Sequence, residues 1–479
     1  MNPDLRGLDV PELTPANENP WYVLMTLYGE QTGAGVDWAL HIRNRAAWNA
    51  WSCQRMGEED RANAAASSGV TVAELSAWPK IQEEVERLHL KEMVRRNGEV
   101  FDYRGMPPVG FTVNCSDVMF DHHLIVKMFV FAWNTRFNEV KFDGQVWFDD
   151  ATFCGSAEFL GAAFDGHAGF ERAVFNTDVM FGGATFSGRA GFNGAVFGDY
   201  AGFNETVFEG TAWFISATFR EILRLAGATF RVDAHFHDAR FGAGAIFRGA
   251  TFGGFANFQR ACFGLKGVGQ VDDFTDCQFE KPISFQDAVF QSSYPDFSGT
   301  ILHDKTKFNS HGDNWPKGPQ DDLTQAKACC AVIRHNLGKQ GLPEAEHFFY
   351  RREMGFAGQI GGWWQRLPYR VFGWLSDYGY SIERPVWALF WVWLVPSVLF
   401  AACWIVGQIG PDLKELGRGM AFSFANLFTV FGLHKLWFSA IWLEHLWWPL
   451  KVLGGAQTVV SLPLLFFLGL GLRTRFRLR

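Results

Sequence analysis

The feature that most constrains this chain is a regular recurrence of phenylalanine. From Phe142 to Phe263 a Phe returns at alternating steps of six and five residues, interrupted once by Leu225. An Ala stands two residues before most of these Phe, which gives the eleven-residue unit F-x-G-x-A-x-F-x-x-A-x. Residues two apart on an extended backbone point to the same side, so each Ala and Phe should point inward together. Neither helical spacing nor sustained alternation fits this pattern, and the repeat predicts a solenoid.

The predicted core of this solenoid is a ladder of Phe with small apolar partners, among which Val179 and Thr206 depart from Ala. The ladder comprises Phe164, Phe170, Phe175, Phe181, Phe186, Phe192, Phe197, Phe203, Phe208, Phe214 and Phe219. Glycines stand two residues after several Phe, at Gly166, Gly183, Gly188, Gly194 and Gly210. Because Gly tolerates positive φ, we expect these positions to form tight turns.

This pattern resembles the pentapeptide-repeat family, which implies a right-handed quadrilateral β-helix. We infer a coil of two eleven-residue units, although one unit per coil also fits the spacing. With strands about 4.8 Å apart, Phe131 to Phe290 would make about seven coils and a rod on the order of 35 Å long. The register loosens from Gly264 to Asp273, which predicts a bulge or loop there.

The chain has 479 residues, enough for several domains. We expect a mixed fold, with a helical N-terminal region or cap at 1–120, the β-helix at 121–310, a helical connector at 311–384 and a membrane module at 385–479. The eight cysteines form no CxxC pair, which favours reduced thiols. A net charge of −7 argues against a generic nucleic-acid binder, and residues 1–20 lack the apolar core of a signal peptide.

Two long uncharged segments predict transmembrane helices. They cover Pro385 to Gly407 and Leu453 to Leu472, and each is long enough to cross about 30 Å of hydrocarbon. We expect a kink at Pro463 in the second. Basic residues flank both segments, at Arg366, Arg370, Arg384, Arg473, Arg475, Arg477 and Arg479. The positive-inside rule then places both termini in the cytoplasm, with the last four arginines as an inner-face anchor that could also hold anionic headgroups.

Between these spans, residues 417–450 are too apolar for a free loop and predict either an interfacial or a re-entrant segment. The candidate pore or membrane-polar residues are Ser423, Asn426, Thr429, His434, Glu444 and His445. Ionisable groups at membrane depth are costly and tend to be functional, so the last three could line an ion path or respond to pH. The alternative is that they lie at the outer headgroup level.

A second resemblance rests on SDYGYSIERP, FSFANLFTVFGL and LPLLFFLGLGLRTRFRLR. These stretches are similar to the C-terminal membrane module of bacterial pentapeptide-repeat proteins grouped with two-span ion channels. The resemblance implies a bacterial inner-membrane protein and a homo-oligomer, most naturally a tetramer, because two spans cannot enclose a pore alone. The chain has no TVGYG-like filter, so potassium selectivity by stacked carbonyls has no sequence support.

Signatures of common enzymes are missing from the sequence, including the P-loop, GxSxG, HExxH and GxGxxG. We therefore predict no enzymatic activity and no cofactor. His235 and His237 beside Asp238, and His122 and His123 after Asp121, have a spacing that could share a metal, but surface roles explain them better and we predict no metal site.

These sequence features suggest three possible functions. The first is an oligomeric ion-channel-like membrane protein with the β-helix as a cytoplasmic sensing or gating platform. The second is a membrane-tethered scaffold whose β-helix binds a protein partner. The third and weakest is mimicry of duplex DNA toward gyrase, suggested by ten acidic residues against two arginines from Asp143 to Glu209.

Overall fold

The computed structural model describes residues 13–33, 35–98, 103–266, 272–318, 320–407, 413–429, 432–438 and 447–476. The chain divides into two compact units, Met1–Ala345 and Glu346–Arg479. We call the first the solenoid unit and the second the helical unit.

Short parallel strands of the solenoid unit stack into four sheets, one for each side of a four-sided coil. Through most of the solenoid a strand pairs with the strand 22 residues further on, as Ala163 pairs with Thr185 and Phe164 with Phe186. The prediction of two eleven-residue units per coil is therefore confirmed. The solenoid has about nine turns. It exceeds the predicted seven because strands extend from Val113 to Phe308, beyond both ends of the segment used for the prediction.

The strands are mostly two residues long, and we give them sheet by sheet. One sheet contains Thr14–Pro15, Val118–Phe120, Lys141–Phe142, Ala163–Phe164, Thr185–Phe186, Val207–Phe208, Thr229–Phe230, Thr251–Phe252 and Gln278–Phe279. A second contains Val113–Asn114, Thr135–Arg136, Ala157–Glu158, Val179–Met180, Ala201–Gly202, Ile222–Arg224 and Gly244–Ile246. A third contains Leu124–Ile125, Val146–Trp147, Ala168–Gly169, Ala190–Gly191, Ala212–Trp213, Ala234–His235, Ala256–Asn257, Ile283–Phe285 and Lys307–Phe308. The fourth contains Val130–Phe131, Thr152–Phe153, Val174–Phe175, Val196–Phe197, Thr218–Phe219, Arg240–Phe241, Cys262–Phe263 and Val289–Phe290.

The phenylalanine ladder forms the core of the solenoid, as predicted. Phe164 and Phe186 stack in parallel with ring centroids 4.6 Å apart, and Phe186 continues the column onto Phe208 at 5.1 Å. All eleven predicted ladder residues are buried. Val179 and Thr206, which replace Ala among the small partners, are also buried. The core accommodates the Thr206 hydroxyl because it donates to the carbonyl of Phe181 at 2.8 Å.

The turns follow a rule that the sequence pattern does not show. A residue with positive φ recurs every eleven positions from Asp117 to Arg260, and only some of these residues are glycine. The series is Asp117, Met128, Glu139, Asp150, Gly161, Arg172, Gly183, Gly194, Glu205, Ser216, Gly227, Asp238, Gly249 and Arg260. Of the five predicted turn glycines, Gly183 and Gly194 belong to it.

The other predicted turn glycines are required for a different reason, which corrects our expectation. A Cβ added to Gly166 would lie 2.7 Å from the carbonyl oxygen of Gly144 in the preceding coil. Gly188 and Gly210 meet the coil before them in the same way. Close approach between successive coils, rather than positive φ, therefore selects glycine at these three positions.

The register changes near the end of the solenoid. Strands before the change pair at intervals of 22 residues, whereas Thr251 pairs with Gln278 and Ala256 with Ile283, each 27 residues on. The predicted loop from Gly264 to Asp273 falls partly on residues 267–271, which lie outside the described residues. Asp272, just after them, is buried, and its carboxylate accepts from the backbone N–H of Ala245 at 3.0 Å. Burial raises the pKa of Asp272 to about 7.

A helical cap closes the first coil, as predicted. It comprises the 3₁₀ turn Ala16–Glu18 and helices α1 (Pro20–Met25), α2 (Trp38–Ser52), α3 (Glu58–Ser68), α4 (Val72–Leu75) and α5 (Trp78–Asn97). From α2, the Asn49 side chain accepts from Val130 N–H at 2.8 Å and donates to Met128 O at 3.1 Å, while Trp48 donates to Val130 O at 3.0 Å. These side chains satisfy backbone groups that a bare solenoid end would leave unpaired.

A second cap closes the last coil, in the region for which the sequence predicts only a connector. It consists of a 3₁₀ turn, Gly312–Asn314, and helix α6 (Leu323–Lys339). Gln325 donates to Tyr294 O at 2.9 Å, Asn336 to His303 O at 3.0 Å and Gln340, just after α6, to Thr306 O at 2.7 Å. Trp315 stacks on Phe290, the end of one Phe column, with centroids 5.0 Å apart. Side-chain amides thus donate to backbone carbonyls that the last coil would otherwise leave unpaired.

The helical unit begins within helix α7 (Pro343–Ala357). Four further helices follow as α8 (Trp363–Ser376), α9 (Glu383–Gly407), α10 (Leu413–Leu427) and α11 (Leu433–Trp437), and the last is α12 (Trp448–Phe476). Helices therefore cover both predicted spans, with α9 over the first and α12 over the second.

Candidate functional site in the helical unit

Three helices of this unit, α9, α10 and α12, pack against one another through two apolar clusters. Leu389 near the start of α9 meets Leu427 and Leu464, which lie at the end of α10 and in the second half of α12. Phe400 further along α9 meets Phe422 and Leu450. The order of these contacts shows that α9 runs antiparallel to both α10 and α12.

Helices α10 and α11 form a hairpin against the long helices. Phe422 in α10 packs on Phe400 of α9 and also on Phe438, which follows α11, with centroids 5.0 and 5.3 Å away. Between these contacts, α10 continues to Leu427, beside Leu389 and Leu464. The chain therefore runs along α10 from beside Phe400 to beside Leu389. By Phe438 it again lies at the position of Phe400 along α9.

A cluster of buried polar side chains lies at the junction of these three helices. The side-chain amide nitrogen of Gln457, in α12, lies within hydrogen-bond distance of Val392 O, Ser423 O and Ser423 Oγ, at 3.0, 2.9 and 2.7 Å. The Ser423 hydroxyl donates to Trp393 O at 2.8 Å, and the Ser397 hydroxyl donates to the same carbonyl at 2.7 Å. Gln457 therefore connects α12 to both α9 and α10.

The cluster extends toward the tip of the hairpin. Asn426 donates to the side-chain oxygen of Gln457 at 3.4 Å, and the Thr429 hydroxyl donates to Asn426 O at 2.7 Å. The hydroxyl oxygens of Thr429 and Thr458 lie 3.2 Å apart. A Cβ added to Gly454 would lie 3.1 Å from the Asn426 amide nitrogen, so the small residue on α12 lets α10 approach closely.

Three of the six candidate pore or membrane-polar residues, Ser423, Asn426 and Thr429, come together in this cluster. Glu444 and His445 lie outside the described residues, as does the side chain of His434. Gln457, Thr458 and Ser397 were not among the predicted residues, nor was Ser461, whose hydroxyl donates to Thr458 O at 3.0 Å. The available signal was Gln457 itself, the single side-chain amide within the uncharged stretch Leu453–Leu472.

The outer surface of the three helices is apolar, opposite to the buried polar cluster. Ser423 is 0% exposed and Gln457 4% exposed, whereas Val459, two residues further along α12, is 69% exposed. The exposed large side chains include Trp387, Trp391, Val395, Val398 and Leu399 on α9 and Val452, Val459, Val460, Leu462 and Phe466 on α12. Among the described residues, α12 is a candidate membrane-crossing helix by its length and composition.

Basic side chains gather at one end of the helix bundle. Gly471, near the end of α12, lies against Ser381, just before α9, and the ring of Phe372 in α8 lies 5.4 Å from that of Phe467 in α12. The start of α9, the end of α12 and helix α8 are therefore neighbours. This end carries Arg366, Arg370, Arg384, Arg473 and Arg475, while Arg477 and Arg479 lie outside the described residues.

The histidine candidates of the solenoid unit do not assemble into a metal centre. The His235 and His237 rings are 6.1 Å apart, while Asp238 forms an ion pair with Arg260 at 2.6 Å. His123 instead accepts from the N–H of Gln145 in the next coil at 2.9 Å, and His122 lies 3.8 Å from Asp121. Within the described part of the chain, no group of three His, Cys, Asp or Glu side chains could hold a metal ion.

Ion pairs join neighbouring coils in the acidic segment of the solenoid, Asp143 to Glu209. Arg172 pairs with Asp150 at 2.6 Å and Arg136 with Glu158 at 3.2 Å, each pair 22 residues apart. Glu171 lies partly buried near Asp149, and burial together with that neighbouring carboxylate raises its pKa to about 7. This surface therefore presents less free negative charge than the sequence count suggests.

The fold and the site together describe a capped β-solenoid joined in one chain to a helical unit that buries a polar cluster. Residues 129–174, 155–196 and 192–240 match the family model described as pentapeptide repeats (9 copies), so the solenoid is built of pentapeptide repeats. Comparisons with curated proteins and with solved structures gave no match. The phenylalanine columns continue beyond the matched segment to Phe308.

Proposed function

We propose that this is a membrane-integral pentapeptide-repeat protein in which the helical unit lies in the bilayer and the capped solenoid is a cytoplasmic platform for a protein partner. It acts by binding rather than by catalysis. The observation that carries the proposal is the reversed polarity of the helical unit, with Ser423 and Gln457 buried and residues such as Val459 and Trp391 exposed.

In water, this distribution would leave large apolar side chains exposed on two neighbouring helices. In a bilayer it is the ordinary arrangement, because lipid covers the apolar surface while polar side chains join helices to one another. Helix α9 has 25 residues and α12 has 29. At 1.5 Å per residue both exceed the roughly 30 Å of a hydrocarbon core.

The basic end of the helix bundle supports a direction of insertion. Because α9 and α12 are antiparallel, the arginines before α9 and after α12 lie on the same side of the proposed membrane. The positive-inside rule makes that side cytoplasmic. The protein would then lie in the bacterial inner membrane with both termini inside, as the sequence analysis predicts.

Ion conduction by an oligomer is the second candidate, and the hairpin of α10 and α11 favours it. Helix α10 has 15 residues, which span about 22 Å and therefore less than a full hydrocarbon core. A short helix packed between two long helices is the plan predicted for a re-entrant segment. The tethered platform ranks first because Ser423 and Asn426 bond within one chain, at the interior of its helices.

Reconstitution of the full-length protein into vesicles tests both candidates. We expect the protein to stay with the vesicles after an alkaline wash, and release by that wash would contradict the membrane proposal. In the same vesicles we expect no ion flux above protein-free vesicles under voltage and pH steps. Flux that falls in the Asn426→Leu variant but not in a matched Val398→Leu variant would instead establish conduction.

A further inference from the structure

An open groove of about 1210 Å³ lies at the basic end of the helical unit, between α8, α9 and α12. Its volume exceeds the roughly 300–1,000 Å³ typical of sites for drug-sized ligands. Apolar side chains from all three helices form its walls, including Trp374, Trp387, Trp391, Val460 and Leu464. Along α9 it extends from Glu383 to Val392, about 13 Å at 1.5 Å per residue.

The mouth of this groove is charged, unlike its walls. Arg384 lines it and is held against α8, because one of its guanidinium nitrogens donates to Gly373 O at 2.9 Å. Glu383 lines it as well, so this carboxylate partly offsets the arginine. Arg370 is exposed on α8 one turn before Trp374, which places a second cation near the same opening.

Helix α8 has the character of a helix that lies in a membrane interface. Trp363, Trp364 and Trp374 are all largely exposed, and Arg366 and Arg370 lie on the same helix. Tryptophan is enriched at the level of lipid headgroups, and basic amphipathic helices lie in that plane. The mouth of the groove would therefore open where phosphates of the cytoplasmic leaflet are found.

We propose that the groove binds one anionic phospholipid, with an acyl chain between α9 and α12 and its phosphate at Arg384. The charge at the mouth selects an anionic headgroup, and the apolar walls select a chain rather than a polar ligand. This inference rests on the proposed function, because it identifies a lipid for the membrane unit described above.

The test uses the full-length protein in detergent, incubated with equal amounts of phosphatidylglycerol and phosphatidylcholine and examined by native mass spectrometry. We expect one phosphatidylglycerol to be retained per chain in preference to phosphatidylcholine. Arg384→Gln should lower that retention about fivefold, the effect of removing one cation near an anionic phosphate. Ala388→Phe, which fills the groove without changing charge, should lower retention of both lipids.

Lys451→Gln is the matched control, because it removes one positive charge from α12 at an exposed residue that does not line the groove. Its retention of phosphatidylglycerol should equal that of the wild type. Equal losses in Arg384→Gln and Lys451→Gln, or equal retention of the two lipids by the wild type, would overturn the proposal. If the protein withstands the alkaline wash but retains no phosphatidylglycerol, the lipid-site inference alone is wrong. If it is washed off the vesicles yet retains the lipid in detergent, only membrane integration is wrong.

Discussion

The solenoid unit and the helical unit differ in where polar and apolar side chains lie, because the helical unit buries a polar cluster among its apolar contacts and exposes large apolar side chains. In the solenoid unit, Phe and Ala point inward and the charged residues pair on the outside. In the helical unit, Ser423 and Gln457 are buried while Trp and Val face outward. A single chain thus carries two folding solutions, one suited to water and one that the proposed function assigns to lipid. Each should respond differently to the same kind of substitution.

A charge placed in the solenoid core should have the largest effect. We expect Phe197→Asp to lower the free energy of unfolding by at least about 4 kcal/mol, because it removes a stacked ring and buries an unpaired carboxylate. Denaturant unfolding of the full-length protein, followed by the β-sheet circular dichroism signal, measures this. The matched variant Phe466→Asp, on the outward face of α12, should leave that transition unchanged and weaken vesicle retention instead. A Phe197→Asp protein as stable as the wild type would contradict the inward ladder.

The buried carboxyl of Asp272 is an exception to the apolar core of the solenoid unit, and it makes the stability of that unit depend on pH. Its pKa is about 7 when folded, against 3.8 ordinarily, so the unfolded chain releases the proton at lower pH than the folded chain. Its contribution to stability is therefore greatest below about pH 4 and falls by about 2–4 kcal/mol as pH rises toward 7. Asp272→Asn should remove this slope from unfolding free energies measured between pH 4 and 8. The exposed Asp199→Asn serves as control and should keep it.

Removing polarity from the interior of the helical unit should have a smaller effect. Gln457→Leu eliminates the hydrogen bonds that join α12 to α9 and α10, and we expect a loss of about 1–2 kcal/mol, since such bonds are modest in membranes. Thermal unfolding in detergent, followed by the helical circular dichroism signal, measures it. Val459→Leu changes the outward face and should have no effect. Unchanged stability in Gln457→Leu would mean that the polar cluster does not hold the helices together.

The smallest expected effect concerns the left-handed turn positions that recur every eleven residues in the solenoid unit. Ser216 has φ of +56°, a conformation that glycine adopts without strain. Ser216→Gly should therefore raise the free energy of unfolding by about 1 kcal/mol. Ser187→Gly, at an exposed position outside the eleven-residue series, should not raise the free energy of unfolding. Equal gains in stability for both variants would argue against this explanation. Denaturant midpoints of the full-length variants provide the comparison.

The sequence predicts the solenoid well because its core is periodic. Phe164 and Phe186 occupy equivalent positions, so one interior position defines the environment of many others. The turns were harder to predict, since residues as different as Met128, Arg172 and Ser216 share the same positive φ. Their conformation is imposed by the coils above and below, which no local preference reveals.

The candidate site was only partly predictable for a related reason. Ser423, Asn426 and Thr429 stood out as polar residues in an apolar segment, but Gln457, the partner of Ser423 and Asn426, lies about thirty residues further along the chain. Its role depends on how α12 packs against α9 and α10, and a hydropathy pattern does not contain that information. Helix α6 is similar, because its amide side chains act as a cap only once the last coil is in place.

Two dissimilar caps close a stack of nearly identical coils, and this has a consequence for how such a protein can change. Each coil contacts only its neighbours, so inserting or deleting 22 residues would leave Asn49 and Gln325 with the same kinds of backbone carbonyl to bond. The length of the solenoid could therefore change in steps of about 4.8 Å, the spacing of one coil. Variation in the number of coils would move one end relative to the other while preserving both.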